Sequence, residues 1–155
     1  MSSDSAVPAY RTTTQYKALV NMLKTVRAGI RDSSLDKSTA ELMNLLSSSI
    51  NGCEDCWATH SREARRLGVD EQKMQILQYM EPRAAMRHEV FSASEQAALF
   101  FTFAFTVPAE GLIAEARREA SQYFSSEQLT AMEWLTIAIN SFNRITIAHE
   151  DDADA

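Results

Sequence analysis

A chain of 155 residues with a formal charge of −6 and 45% apolar residues is the size and make-up of one soluble globular domain. The acidic balance argues against nucleic acid as a partner, because binding a phosphate backbone needs clustered cations, and no stretch approaches the ~20 apolar residues of a membrane span. Met1 to Tyr10 is polar, with no basic run leading into an apolar one, so no signal peptide is read and a cytoplasmic location is expected.

Only 4 Gly and 3 Pro occur. Ala, Leu, Glu, Gln, Met and Arg, which lose little freedom on entering a helix, are plentiful, so the expected fold class is all-α, as a single domain over residues 1–155. In chain order, residues 1–10 read as a loose arm. A first helix is predicted over about Thr14 to Ile30, with Tyr16, Leu19, Val20, Leu23 and Val26 as its apolar stripe. A second follows over about Asp36 to Ile50, burying Leu42, Leu45, Leu46 and Ile50, and Asn51-Gly52 ends it in a left-handed turn. A third begins around Cys53 and runs to Leu67. Its Arg62, Arg65 and Arg66, interrupted by Glu63, read as a solvated face.

Asp70 caps a short helix to about Met80, which Pro82 does not continue in regular form. Ser92-Ala-Ser-Glu95 is a capping box opening a helix to about Thr106. Pro108 sits where a first-turn proline belongs, predicting a helix to about Tyr123. Ser125-Ser126-Glu127-Gln128 repeats the capping spacing and opens a last helix to about Ala148, leaving 150–155 as an acidic frayed tail. The segment from Ala97 to Phe105 is apolar all round, as is Met132 to Ile147 with Trp134, Ile137 and Phe142. Helices of that kind are buried on several sides, so part of their cover is expected to come from another copy of the chain.

The chemistry concentrates in Cys53-Glu54-Asp55-Cys56-Trp57-Ala58-Thr59-His60. Offsets of three and four put both thiols and the imidazole on one helical face. Two cysteines in one cytoplasmic chain are more often catalytic or metal-binding than structural. A Cys53–Cys56 disulfide would be local and easily made and broken. The first turn of a helix stabilises a thiolate, which favours Cys53, whereas His60 one turn beyond Cys56 can take its proton or pair with its thiolate. Trp at 57 excludes c-type haem attachment, which needs His directly after the second Cys. An open zinc site on Cys53, Cys56 and His60, with Glu41 or water as fourth ligand, is one alternative, and two inert buried thiols are another. Glu41, twelve residues before Cys53, faces the cysteines if the second and third helices pack as a hairpin, and can then take up protons relayed through His60. His88 and His149 read as surface histidines, and Trp57 as a packing residue over the cysteines.

Glu41 followed by Cys53-x-x-Cys56-x-x-x-His60 resembles the AhpD-like alkylhydroperoxidases of the carboxymuconolactone decarboxylase superfamily. So do Ile50-Asn51-Gly52-Cys53, His60-x-x-Glu63-Ala64-Arg65-x-x-Gly68, Phe91-Ser92-x-x-Glu95-x-Ala97-Ala98-Leu99 and Ile139-Asn140-x-x-Asn143-Arg144. The resemblance spans roughly residues 35–148. It implies an all-helical fold assembled as a trimer or a hexamer of dimers, and a thiol peroxidase with no cofactor and no metal. By the same resemblance Cys56 attacks the peroxide and becomes a sulfenic acid, Cys53 donates a proton and closes the disulfide, and His60 and Glu41 relay protons. A thiol or dithiol donor, which the sequence does not identify, would reduce the protein again. Asp55 stands where some AhpD proteins carry a second His, and a carboxylate there disfavours a neighbouring thiolate. The decarboxylase branch typically lacks the cysteine pair, so its presence here argues against lactone decarboxylation, which stands as the alternative activity with zinc binding or simple thiol–disulfide exchange beside it.

Overall fold

The computed structural model describes residues 6–154, and within them every element is helical. The eight α-helices are α1 (Thr14–Asp32), α2 (Lys37–Asn51), α3 (Glu54–Arg66), α4 (Glu71–Tyr79), α5 (Pro82–Ala85), α6 (Ala93–Thr106), α7 (Leu112–Ala120) and α8 (Ser126–Ala148). Short 3-10 turns at Ala9–Thr12 and Asp151–Asp154 flank them. Their limits are set by local chemistry. Both expected capping boxes form, Ser92 with Glu95 and Ser125 with Gln128, each box stabilising its helix start by about 1 kcal/mol. Gly52, at φ 72°, closes α2 in the left-handed region and turns the chain directly into α3.

Helix α2 is the hub, packed against α3, α4, α6 and α8. Its Leu42, Leu45 and Leu46 enter one apolar cluster with Met74, Leu77, Phe91, Leu99, Phe100 and Phe103. Its Ala40 and Met43 enter a second with Val26, Ile30, Phe101, Met132 and Leu135. Helix α6 also serves both clusters, which is why its run from Ala97 to Ala104 is buried without interruption. Each Leu, Phe or Met removed from water there contributes about 1.5–3 kcal/mol.

Between the two clusters runs a polar seam. Ser47 Oγ shares hydrogens with Thr102 Oγ1 at 2.9 Å and Thr106 Oγ1 at 3.0 Å. Asn51 Nδ2 donates to Asn140 Oδ1 at 2.9 Å and Asn143 Oδ1 at 3.0 Å, and Asn143 Nδ2 donates to Ser48 Oγ at 3.1 Å. Asn140 Nδ2 closes the circuit on Thr106 Oγ1 at 3.1 Å. These bonds lock the end of α2, and therefore the turn that delivers Cys53, against α6 and α8.

Three local expectations need correction. The helix expected from Pro108 starts only at Leu112, because Gly111 takes a left-handed φ of 76° and acts as its N-cap, so no helix runs through it. Pro82, expected only as a stop, opens α5 as its first residue, with Glu81 accepting from the N–H groups of Arg83 and Ala84 at 3.0 and 3.1 Å. Inside the expected arm and tail, Tyr10 stacks on His149 at 4.5 Å between ring centroids, and His149 Nδ1 pairs with Asp152 at 2.7 Å. Looseness of residues 1–5 and 155 concerns positions outside the described residues. The two apolar helices also part company: α6 is enclosed within one chain, whereas α8 leaves Trp134 49% and Ile137 39% exposed. Among the described residues no helix is long and apolar enough to cross a membrane.

Candidate active site

Cys53 is the N-cap of α3 rather than part of it. Its sulfur accepts the N–H of Cys56 at 3.3 Å, so both cysteines sit on the opening turn of the helix. They are joined in a disulfide, with 5.3 Å between their Cα atoms. The two sulfurs have different surroundings. Cys53 is 1% exposed and enclosed by protein, whereas Cys56 is 8% exposed and lines a cleft of about 290 Å³.

Helices α2 and α3 pack together as the hairpin expected from the sequence, and this brings Glu41 to His60. Glu41 Oε2 lies 2.7 Å from His60 Nδ1, with both side chains largely shielded from solvent. A carboxylate can only accept, so Nδ1 carries the hydrogen and Nε2 is the basic ring nitrogen. Glu41, His60 and Cys56 all face the same cleft, whose opposite wall is apolar and built from Leu135, Ala138, Ile139 and Phe142 of α8.

Two residues there escaped the sequence reading. Asn44, one turn after Glu41, is 4% exposed, and its Nδ2 donates to Glu41 Oε2 at 3.4 Å. Its Oδ1 is the single buried side-chain polar atom without a hydrogen-bond partner among the described residues, and the side chain lines the cleft. The i, i+3 spacing from Glu41 was the available signal. Arg11 is the other, brought to the rim of the cleft by the N-terminal 3-10 turn. Its hydrogen bond to Tyr10 Oη outweighs the opposing effect of burial and, with a weaker pull from Asp55, holds the guanidinium above its ordinary pKa. A cation near Asp55 offsets the carboxylate that the sequence sets between the thiols.

The remaining candidates fall outside this arrangement. Trp57 packs on the Leu42–Phe103 core cluster. His88 Nδ1 accepts the N–H of Val90 at 3.0 Å, holding the turn before α6. In the basic run, Arg65 pairs with Glu71 and Arg66 with Glu63, while Arg62 faces a second cleft beside the first. The Asn140 and Asn143 motif serves the polar seam. Among the described residues no three or more His, Cys, Asp and Glu side chains are grouped so as to hold a metal ion.

Comparison with known proteins agrees with this architecture. Over 119 residues, 76% of this chain and 78% of the relative, the sequence is 30% identical to the uncharacterized protein YdfG of Bacillus subtilis. The fold matches, at a TM-score of 0.78 and 27% identity over 91% of this chain and 92% of the other, a crystal structure from Agrobacterium tumefaciens. That protein is of unknown function, with AhpD-type antioxidant defence as a candidate assignment. The family model for carboxymuconolactone decarboxylases matches residues 15–100, which hold Glu41, both cysteines and His60. The chain is therefore a member of the carboxymuconolactone decarboxylase family with an AhpD-like fold.

Proposed function

We propose that the protein is a thiol peroxidase that cycles the Cys53–Cys56 disulfide. The observation carrying this reading is the pairing itself: a disulfide on the first turn of α3, with one sulfur open to a cleft that also holds a His–Glu pair. In the reduced protein, Cys56 attacks the terminal oxygen of a hydroperoxide as a thiolate, becoming a sulfenic acid while the O–O bond breaks and the alcohol leaves with a proton. Cys53 then displaces the sulfenic oxygen as water and restores the disulfide. Two thiols and one hydroperoxide thus give one disulfide, one alcohol and one water, and an external thiol or dithiol returns the electrons. The greater exposure of Cys56 supports its role as attacking sulfur against the helix-start argument for Cys53, since both occupy the same opening turn and only Cys56 meets the cleft. His60 Nε2 takes the thiol proton, and Glu41 fixes the tautomer and steadies the imidazolium that results.

A cycle that depends on a dithiol donor suits a reducing, cytoplasmic compartment. The exposed Trp134 and Ile137 on α8 support self-association as a trimer or a hexamer of dimers. Sedimentation of the wild type and of Trp134→Arg tests this, with a smaller species expected for the variant. The peroxidase reading itself is tested by counting free thiols after reduction and one equivalent of organic hydroperoxide. Both thiols should disappear into an intramolecular disulfide that dithiothreitol reverses. Two thiols that stay titratable on prolonged exposure would end the reading.

A further inference from the structure

The cleft on Cys56 does not end at His60. It runs on into a second depression of about 540 Å³, and the two share Arg27, Ile30, Ala40, Glu41, Thr59 and His60. This outer part is rimmed by five cations, Arg27, Arg31, Lys37, Arg62 and Arg66, against two carboxylates, in a chain of formal charge −6. One carboxylate is Glu41, engaged with His60, and the other is Glu63, engaged with Arg66. Arg27, Arg31, Lys37 and Arg62 form no ion pair among the described residues. An excess of positive charge at the mouth of a cleft attracts anions, most strongly at low ionic strength. The inner part asks for something different: an apolar body against α8, and a hydrogen-bond donor for the buried Asn44 Oδ1.

We propose that the cleft takes an organic hydroperoxide that also bears an anionic group, an apolar chain ending in a carboxylate being the simplest such molecule. Its chain lies against Leu135, Ile139 and Phe142, its hydroperoxide O–H donates to Asn44 Oδ1 beside Cys56, and its carboxylate meets Arg27 and Arg62 at the mouth. This rests on the thiol peroxidase reading and adds the substrate class to it; the reaction is the balanced one given above, with the carboxylate unchanged. Hydrogen peroxide meets only one of these three requirements, and a neutral alkyl hydroperoxide two.

The test compares a medium-chain carboxylic acid hydroperoxide with its methyl ester, which lacks the charge and adds one methyl group. Reduced protein is mixed with each at low ionic strength and free thiols are counted over time. The acid should oxidise the thiols about threefold to tenfold faster, the range two partly exposed ion pairs supply. Added salt should shrink that ratio, and so should Arg27→Gln/Arg62→Gln. Arg118→Gln/Arg144→Gln, with the same loss of charge from exposed positions outside the cleft, should keep it. Thiols oxidised equally fast by both peroxides, or faster by the ester, would overturn the substrate class and leave the peroxidase reading standing. An acid preference that survives in Arg27→Gln/Arg62→Gln would overturn the placement of the anion. Thiols oxidised by neither peroxide would bring down both readings together.

Discussion

Two polar clusters follow one another along a single stripe of α2, Glu41 and Asn44 first and then Ser47, Ser48 and Asn51, and they are built on different terms. The seam of Ser47, Ser48, Asn51, Thr102, Thr106, Asn140 and Asn143 is buried or nearly so, and all its side-chain donors and acceptors in the interior find protein partners. The cluster of Glu41, Asn44 and His60 is open to a cleft, and it leaves one buried acceptor unused. A satisfied buried network fixes one arrangement of helices and has nothing left to offer a ligand. An unsatisfied one costs stability that packing elsewhere must offset, and what it leaves open is available for chemistry. The same stripe of α2 therefore carries an open segment at the cleft and a closed structural segment, one turn apart.

The largest effect expected is on the cysteine pair beside the open segment. Cys56→Ser should abolish both disulfide formation and sulfenic acid trapping, while Cys53→Ser should accumulate a trappable sulfenic acid at Cys56. Sulfenic acid trapped only in Cys56→Ser would reverse the two roles. Next comes Glu41→Gln, which keeps size and most hydrogen bonding but removes the charge behind His60. Thiol oxidation should slow by about 10²–10⁴-fold and its pH profile should move upward, with little change in melting temperature. His60→Gln should act the same way, and the double variant should lose less than the product of the two singles, because members of one relay are not independent. A well-folded Glu41→Gln protein with wild-type rates would place Glu41 among the structural residues and dissolve the contrast.

The closed segment should respond the other way round. Asn143→Ala removes the acceptor of Asn51 and the donor to Ser48 and leaves a void. Stability should fall by about 2–4 kcal/mol, lowering the melting temperature by about 5–15 °C, while the rate of thiol oxidation in the remaining folded protein stays near wild type. The smallest effect is expected at Asn44. Asn44→Leu removes a buried amide whose oxygen is unsatisfied, together with its 3.4 Å hydrogen bond to Glu41, and puts an apolar group of similar size in its place, so stability should hold to within about 1 kcal/mol. Oxidation by an organic hydroperoxide should slow by about threefold to tenfold, the worth of one hydrogen bond. Denaturant melts and thiol counts on these two variants give a crossed pattern. Loss of stability at Asn44 with unchanged rate would mean that its open acceptor has no part in catalysis.

Much of the fold was legible in the sequence because helix signals are short-ranged. The capping boxes at Ser92 and Ser125, the left-handed Gly52 and the apolar period of α2 involve residues a few positions apart, and the structure reproduces them. Where two local rules competed, at Pro108 and Gly111, the proline signal was read and the glycine decided, because a left-handed residue cannot sit inside a helix whereas a proline is merely comfortable at its start. The apolar pattern of α8 showed that it had surface to bury but not that Trp134 would remain outside the chain's own core.

The spacing of Cys53, Cys56 and His60 is likewise local, and by itself it marks a candidate thiol site. What only the tertiary structure decided is who faces that site. Glu41 reaches His60 because α2 and α3 pack as a hairpin. Arg11 reaches the rim because the N-terminal turn folds back beside α1, and Arg27 and Arg62 share a mouth because α1 and α3 flank the same cleft. Asn44 is buried with an open acceptor only because the surrounding helices exclude every other donor. Those placements arise from many weak apolar contacts between residues distant in sequence, summed over two core clusters, and no window of a few residues contains them.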